Sequence, residues 1–581
     1  MDGQLNAERR GAALDAMSDH EGVDVLVIGG GVTGAGIALD ATTRGLRTAV
    51  VEMQDWSSGT SSRSSKLVHG GLRYLYQLDF PLVAEALRER SRLLTTIAPH
   101  LVRAQPFLWP LRTPVIERAY SAVGVGMYDL LARLGSRGRR KVPMQKHYSK
   151  KGALRLFPQM RPDSLTGAIR FYDARVDDSR LVIGLIRTAV AHGALAASRT
   201  QVTSLTKGPA GEITGAVLAD LETGEERTVR ARHVINATGV WTEETETLSD
   251  SAAGLEVLAS KGAHIVVPKD RIRGETGLFL RTEKSVLFVI PWDRYWIIGT
   301  TDTPWTSGRL HPVATAEDID YILDHANEVL TPALTRDDII GVWAGLRPLL
   351  QPGVKGDGEV ASTKVSREHT VVQPVPGLTV IAGGKLTTYR EMAVDAVDMA
   401  LGSRAKSMPS ITADLPLVGA EGFTALQARA SRLAAERGWT RERMEHLMFR
   451  YGTEVSLLLE SIDADPSLGE PLPEAEDYLQ AEVAFAVTHE GALHLQDIID
   501  HRVRIVTERR DRGIPVLPAI AEIVAPLLGW DRERIDKEIA AATERAEAEM
   551  SAESARSDAE AEKARLAAKD LIAIRPLASD G

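Results

Sequence analysis

Residues 23–34, Val-Asp-Val-Leu-Val-Ile-Gly-Gly-Gly-Val-Thr-Gly, constrain this chain more than any other stretch. An apolar, β-branched run enters a glycine cluster, and Ala35, Gly36, Ile37, Ala38 and Leu39 continue at helical spacing. The pattern predicts strand, tight turn and helix, with Gly29, Gly31 and Gly34 forming G-x-G-x-x-G. The first glycine permits the turn, the second admits a pyrophosphate against the backbone, and the third lets helix and strand approach closely. The helix N-terminus offers free N–H groups and a positive dipole end to the phosphates. A second apolar strand, 48–51, ends at Glu52, where a carboxylate can bind a ribose hydroxyl. These features predict an α/β nucleotide-binding fold and leave open whether the nucleotide is NAD or FAD.

Composition narrows the chemistry. The 581 residues include no cysteine, which removes disulfides, thiolate catalysis, iron–sulfur clusters and cysteine–zinc sites. Redox work therefore needs an organic cofactor or a metal held by nitrogen and oxygen, and no residue is assigned to a metal. A net charge of −10 argues against a general nucleic-acid binder. No stretch reaches the roughly 18 apolar residues of a spanning helix. Residues 1–20 lack the apolar centre of a signal peptide and are expected to be a flexible tail. In this acidic chain, Arg133, Arg137, Arg139, Arg140, Lys141, Lys146, Lys150 and Lys151 lie together without an acid, after an apolar stretch at 119–134. Such a segment suits anionic lipid headgroups, or equally a solvated loop.

Along the chain, the small-residue loop 57–66 precedes Leu67-Val-His-Gly-Gly-Leu-Arg-Tyr74. An amphipathic helix is expected within 79–98, and another from Asp178 or Ser179 to Gly193. Short strands are expected at 201–205, 215–219, 226–229 and 233–236, and an antiparallel sheet at 278–298. Residues 378–384 repeat the strand-then-glycine pattern before a further helix. A nucleotide fold that opens the chain, is interrupted, and resumes near 400 favours the FAD architecture. Residues 420–540 read as helical, and 541–568, rich in Ala and Glu, as a lone solvated helix or disorder.

Seven blocks in order carry a family resemblance. They are Gly29-Gly-Gly-Val-Thr-Gly-Ala-Gly-Ile37, Thr60-Ser-Ser-Arg-Ser-Ser-Lys-Leu-Val-His-Gly-Gly-Leu-Arg-Tyr74, Asn236-Ala-Thr-Gly239, Lys261-Gly-Ala-His-Ile-Val-Val-Pro268, Ile298-Gly-Thr-Thr-Asp302, Gly345-Leu-Arg-Pro348 and Gly383-Gly-Lys-Leu-Thr-Thr-Tyr-Arg390. Over about 22–400 the chain resembles FAD-dependent glycerol-3-phosphate dehydrogenase. The resemblance implies a Rossmann-like α/β FAD-binding fold of glutathione-reductase type, with an inserted antiparallel-sheet substrate cap and a C-terminal α-helical domain. Its expected parts are an oxidoreductase domain at 21–400, a helical domain at 410–540 and a charged tail at 541–581. Within 21–400, about 21–75, 170–245 and 360–400 would hold FAD, and about 76–169 and 246–359 would form the cap.

The implied reaction oxidises sn-glycerol 3-phosphate to dihydroxyacetone phosphate, with non-covalent FAD taking the hydride and a membrane quinone the electrons. Peripheral attachment to the cytoplasmic face of the membrane and a homodimer are implied with it. An oxygen-using glycerol-3-phosphate oxidase or a flavin amine or amino-acid oxidase on this fold are the alternatives. By resemblance Ser61, Ser62, Ser64, Ser65, Leu67, His69 and Gly70 line phosphates and ring, Val202 faces the adenine, and Gly239 and Gly384, Lys385, Leu386 and Thr387 close around the cofactor.

A phosphate dianion asks for guanidinium forks. Arg73, Arg347 and Lys385, with Tyr74 and a fourth cation Arg367, are the candidates. His264 is the first choice for the base that takes the C2 hydroxyl proton, since an imidazole can accept one near neutral pH. His69 is the alternative, or else Arg347 stabilises the alkoxide while water takes the proton.

Overall fold

The computed structural model describes residues 3–71, 80–113, 126, 142–249, 255–283, 286–351 and 369–575. The strand Val23–Ile28 lies between parallel neighbours Thr48–Val51 and Glu226–Asn236. Leu378–Gly383 and Leu195–Ala197 extend this parallel sheet, and His369–Val375 closes one edge in antiparallel sense. Central parallel strands are covered on both faces, which explains their unbroken apolar runs. Val25, Leu26 and Val27 are all buried. Helices Val32–Thr43, Asp178–Ala191 and Tyr389–Leu401 cover one face. A three-strand meander ending in Glu226–Asn236 and the helix Ala7–Met17 cover the other.

A second, ten-stranded sheet meets the carboxyl ends of the first, where Ile28, Gly29 and Ala237 share a cavity with Pro348. Its long members Val102–Leu111 and Gly167–Val176 pair antiparallel throughout. Glu256–Pro268 lies between Tyr295–Gly299 and Gly341–Gln351. The sheet is antiparallel apart from Gly277–Arg281, which runs parallel to Val102–Leu111. Leu67–Val68 and Gly167–Val176 both belong to it, so the chain leaves the cap after Val176 rather than near 170. The next helix is capped by Asp177, not by Asp178 or Ser179, because the Asp177 side chain accepts from the Arg180 N–H.

Both expected tails are corrected. Residues 7–17 form a helix that buries Ala13, Leu14 and Met17, and the Leu5 N–H donates to the His489 carbonyl. At the other end, Arg532–Ala552 and Asp558–Arg565 are helices folded back onto the cap. Their alanines Ala552 and Ala561 meet Val313, so small residues here serve close approach rather than solvation. The sequence pattern misled because alanine-rich faces carry little hydrophobic periodicity.

The C-terminal helices join the nucleotide fold through buried ion pairs. Arg502 binds Asp55 through two hydrogen bonds of 2.7 and 2.9 Å, and Arg180 pairs with Glu490. His494 links three elements, with Nε2 2.8 Å from Glu222 and Nδ1 2.8 Å from Glu538. Burial opposes its charge, but the two carboxylates carry its pKa up to about 9. The pKa is raised on folding, so the contribution is complete below the ordinary value of 6.5 and is lost as pH rises through about 9. It amounts to roughly 3 kcal/mol. The melting temperature is expected to fall between pH 6.5 and 9. His494→Gln should be less stable at pH 6.5 and flatten that slope; an unchanged slope refutes the linkage.

Candidate active site

Two connected cavities open where the parallel sheet meets the cap. The first, of about 190 Å³, runs from Val202 and Glu52 past Gly29 and Gly31 to Gly384. Gly29 has φ +109°, and a Cβ there would lie 2.7 Å from the Ala237 carbonyl oxygen. A Cβ on Gly34 would stand 1.8 Å from the Gly29 carbonyl oxygen, so only glycine allows this strand–helix contact. Gly31 caps the helix with extended backbone, no side-chain cap and no acid in the first turn. That leaves the dipole and the amides after Val32 for an anion. Ser61 Oγ accepts from the Val32 N–H at 2.9 Å, which brings the 57–66 loop against this helix end. Glu52 accepts from the Gly30 and Gln54 amides at 2.7 and 2.8 Å, which aims its carboxylate along the cavity wall. Burial pushes its pKa up against those two bonds.

The second cavity, of about 240 Å³, shares Val32, Ser61, Pro348, Gly384, Lys385 and Leu386 with the first. Its far wall is His264, Arg347, Thr300, Phe279 and Phe288. Arg347 Nη2 donates to Thr300 Oγ1 at 2.8 Å and to the Thr301 carbonyl at 3.0 Å. Its guanidinium lies over Gly262, where a Cβ would sit 2.3 Å from Nη2. His264 Nε2 is 2.8 Å from Ser65 Oγ, and its ring stacks on Trp343 with centroids 4.9 Å apart. Burial, then Arg347 and Lys66, hold the imidazole well below its ordinary pKa. The ring is therefore neutral and has a lone pair to offer. His264 is in the sheet interior, paired with Gly299 and Trp343.

Residues 24–390 match the family described as FAD dependent oxidoreductase, and residues 410–535 match the C-terminal domain of alpha-glycerophosphate oxidase. Glycerol-3-phosphate dehydrogenase 2 of Mycobacterium tuberculosis is 51% identical over 91% of this chain and 89% of its own. The mitochondrial glycerol-3-phosphate dehydrogenase of Bos taurus is 37% identical over 92% and 74%. A crystal structure of glycerol-3-phosphate dehydrogenase from Bacillus halodurans complexed with FAD superimposes with TM-score 0.74 at 30% identity, covering 92% of this chain and 96% of that one.

The chain belongs to the FAD-dependent glycerol-3-phosphate dehydrogenase family.

The nucleotide left open by the fingerprint is therefore FAD. In this family member Gly29, Gly31, Glu52, Ser61, Val202, Gly239, Gly384, Lys385 and Leu386 line the first cavity. Ser64, Ser65, Leu67, His69, His264, Arg347, Lys385 and Thr387 line the second. Thr387 Oγ1 accepts from the His69 N–H at 3.1 Å and ties the two glycine-rich turns together. Gly34 acts behind the wall. Ser62 turns away, its Oγ donating to the Gly59 carbonyl, and its own carbonyl accepts from Lys66. The Gly70 N–H points to Asp173 at 3.3 Å. Arg73, Tyr74 and Arg367 lie outside the described residues, as do 133–141 of the basic stretch.

Sequence reasoning missed the support of the loop. Lys66 Nζ pairs with Asp178 at 2.7 Å and donates to the Ser62 carbonyl, and Asp178 also accepts from Ser64 Oγ at 2.7 Å. Burial and Arg504 bring Lys66 down to about 8, against the pull of Asp178. Lys66 stands in the 60–74 block, yet nothing in the spacing ties it to an aspartate 112 residues away.

Proposed function

We propose that this protein oxidises sn-glycerol 3-phosphate to dihydroxyacetone phosphate and passes the electrons to a membrane quinone. The observation that carries the reading is that Arg347 and a neutral His264 line one chamber continuous with the FAD cavity. FAD, when bound, supplies the hydride acceptor. The protein's own residues do the rest. Arg347 presents a fork to the phosphate, with Arg73, Tyr74, Arg367 and Lys385 as further members. His264 accepts the C2 hydroxyl proton, and Ser65 and Trp343 hold its ring in place. A bound phosphate dianion raises the imidazole pKa toward the range of an effective base. Phe279 and Phe288 wall the chamber with apolar surface that limits water.

The acceptor and location extend this reading. Among the described residues no helix is long and apolar enough to cross a membrane. Lys146, Lys150 and Lys151 stand beside the exposed Met144, which suits an anionic lipid surface at the cytoplasmic face. A homodimer rests on the resemblance.

Under anaerobic conditions sn-glycerol 3-phosphate is expected to bleach the flavin absorbance of the purified protein; a flavin left oxidised refutes the activity. A soluble quinone analogue should then restore the colour faster than oxygen does. Faster recovery with oxygen would make the enzyme an oxidase, the activity for which its C-terminal family is named.

A further inference from the structure

The segment 541–575 is fastened to the cap. Glu562 accepts from the Gly308 N–H at 2.5 Å, the Ala316 N–H donates to the Ala555 carbonyl at 2.8 Å, and Asp570 meets His311 at 2.7 Å. Arg575 then returns to the nucleotide domain, its N–H 2.9 Å from Gln201 Oε1 and its guanidinium 2.9 Å from Glu226. The segment is thus a strap fastened to both domains.

One strap side chain reaches toward the site. Asp558 forms an ion pair with Lys261, which is buried and also pairs with Asp318 at 2.5 Å. Lys261 precedes Gly262, the residue over which the Arg347 guanidinium lies. Its carbonyl accepts from Arg347 Nη1 at 3.4 Å. The preceding residue, Ser260, donates to Asp302 at 2.5 Å, and that carboxylate also accepts from Arg347. A buried ammonium needs its carboxylates, because an uncompensated charge there is costly. Asp318 holds Lys261 from within the cap, and Asp558 holds it from the strap.

We infer that Asp558 is a positioning residue: through Lys261 it fixes the 260–262 backbone against which Arg347 is aimed, so the C-terminal strap sets affinity for the phosphorylated substrate. This rests on the activity proposed above. It gives the 541–575 segment a role in substrate binding without any contact to substrate or flavin.

The test uses the full-length holoenzyme and three single variants. Asp558→Ala is expected to raise the half-saturating concentration of sn-glycerol 3-phosphate five- to twentyfold, with kcat within twofold of wild type and flavin content unchanged. Asp558→Glu, which keeps the carboxylate, should return the half-saturating concentration to within twofold. Glu562→Ala removes an anchor of the same helix without touching Lys261. It should lower the melting temperature and leave half-saturation unchanged. If Asp558→Ala changes only the melting temperature, or if Glu562→Ala weakens substrate binding equally, the strap is merely structural and the inference is overturned. If the wild-type flavin is not bleached by substrate, the activity reading falls and this inference with it. A bleached wild type with unshifted Asp558→Ala overturns this inference alone.

Discussion

Replacing Arg347 by alanine is expected to raise the half-saturating concentration of sn-glycerol 3-phosphate about 100-fold, with flavin content unchanged. Hydrogen bonds between charged partners contribute about 1.5–3 kcal/mol each. A hundredfold change corresponds to roughly 3 kcal/mol, so loss of one fork accounts for it. The side chain is only 22% exposed, and Thr300, Thr301, Lys261 and Asp302 fix its plane. The fork is therefore pre-organised, and little entropy is lost when it meets phosphate. Arg347→Lys keeps the charge but loses the planar pair of donors, so it should recover only part of the affinity. Because Arg347 stands on the far wall of the second cavity, away from the Gly29, Gly31 and Glu52 end of the first, FAD should remain bound. Unchanged half-saturation in Arg347→Ala would remove this residue from the substrate site.

His264→Asn is expected to lower kcat by about 10²–10⁴, the range found for loss of a general base. Asparagine can still hydrogen-bond Ser65 but cannot take a proton, which separates chemistry from packing. The sign of the pH effect follows from the environment. Burial, Arg347 and Lys66 all disfavour the imidazolium, so in free enzyme the group is neutral at and below its ordinary value of 6.5. The fall of kcat/KM at low pH should thus begin below pH 6.5 in the wild type, and that limb should vanish in the variant. A variant with wild-type turnover under saturating substrate would make His264 a structural residue stacked on Trp343.

The part of the site that was legible in sequence follows local rules. Gly29, Gly31, Gly34 and Glu52 sit in one strand–turn–helix–strand unit, where spacing along the chain is spacing in space. The strands at 277–281, 286–292 and 295–299 likewise follow alternation and turn chemistry. Other assignments came from matching blocks, and there the resolution was coarser. Ser62 and Gly70 lie in the same loop as Ser61 and His69, yet the local turn aims one at the Gly59 carbonyl and the other at Asp173. Alternation within a tight loop is not set by helical or strand period, so a motif names the loop without naming which member faces the ligand. The two termini were misread for a related reason. The C-terminal helices meet the cap through alanine contacts and ion pairs such as Lys261–Asp558, which leave no periodic apolar trace, and the N-terminal helix buries only Ala13, Leu14 and Met17 among its eleven residues.

By itself, then, the sequence determined a nucleotide held at a helix N-terminus, an interrupted α/β fold, a cysteine-free chemistry and, through ordered blocks, the FAD family. The tertiary structure alone decided that Lys66 meets Asp178, that His264 stacks on Trp343 beside Arg347, and that Asp558 reaches Lys261 across 297 residues. Those contacts join elements whose separation in sequence carries no periodicity; only the closing of the cap over the parallel sheet, and of the C-terminal segment over the cap, brings their charges and rings to one place.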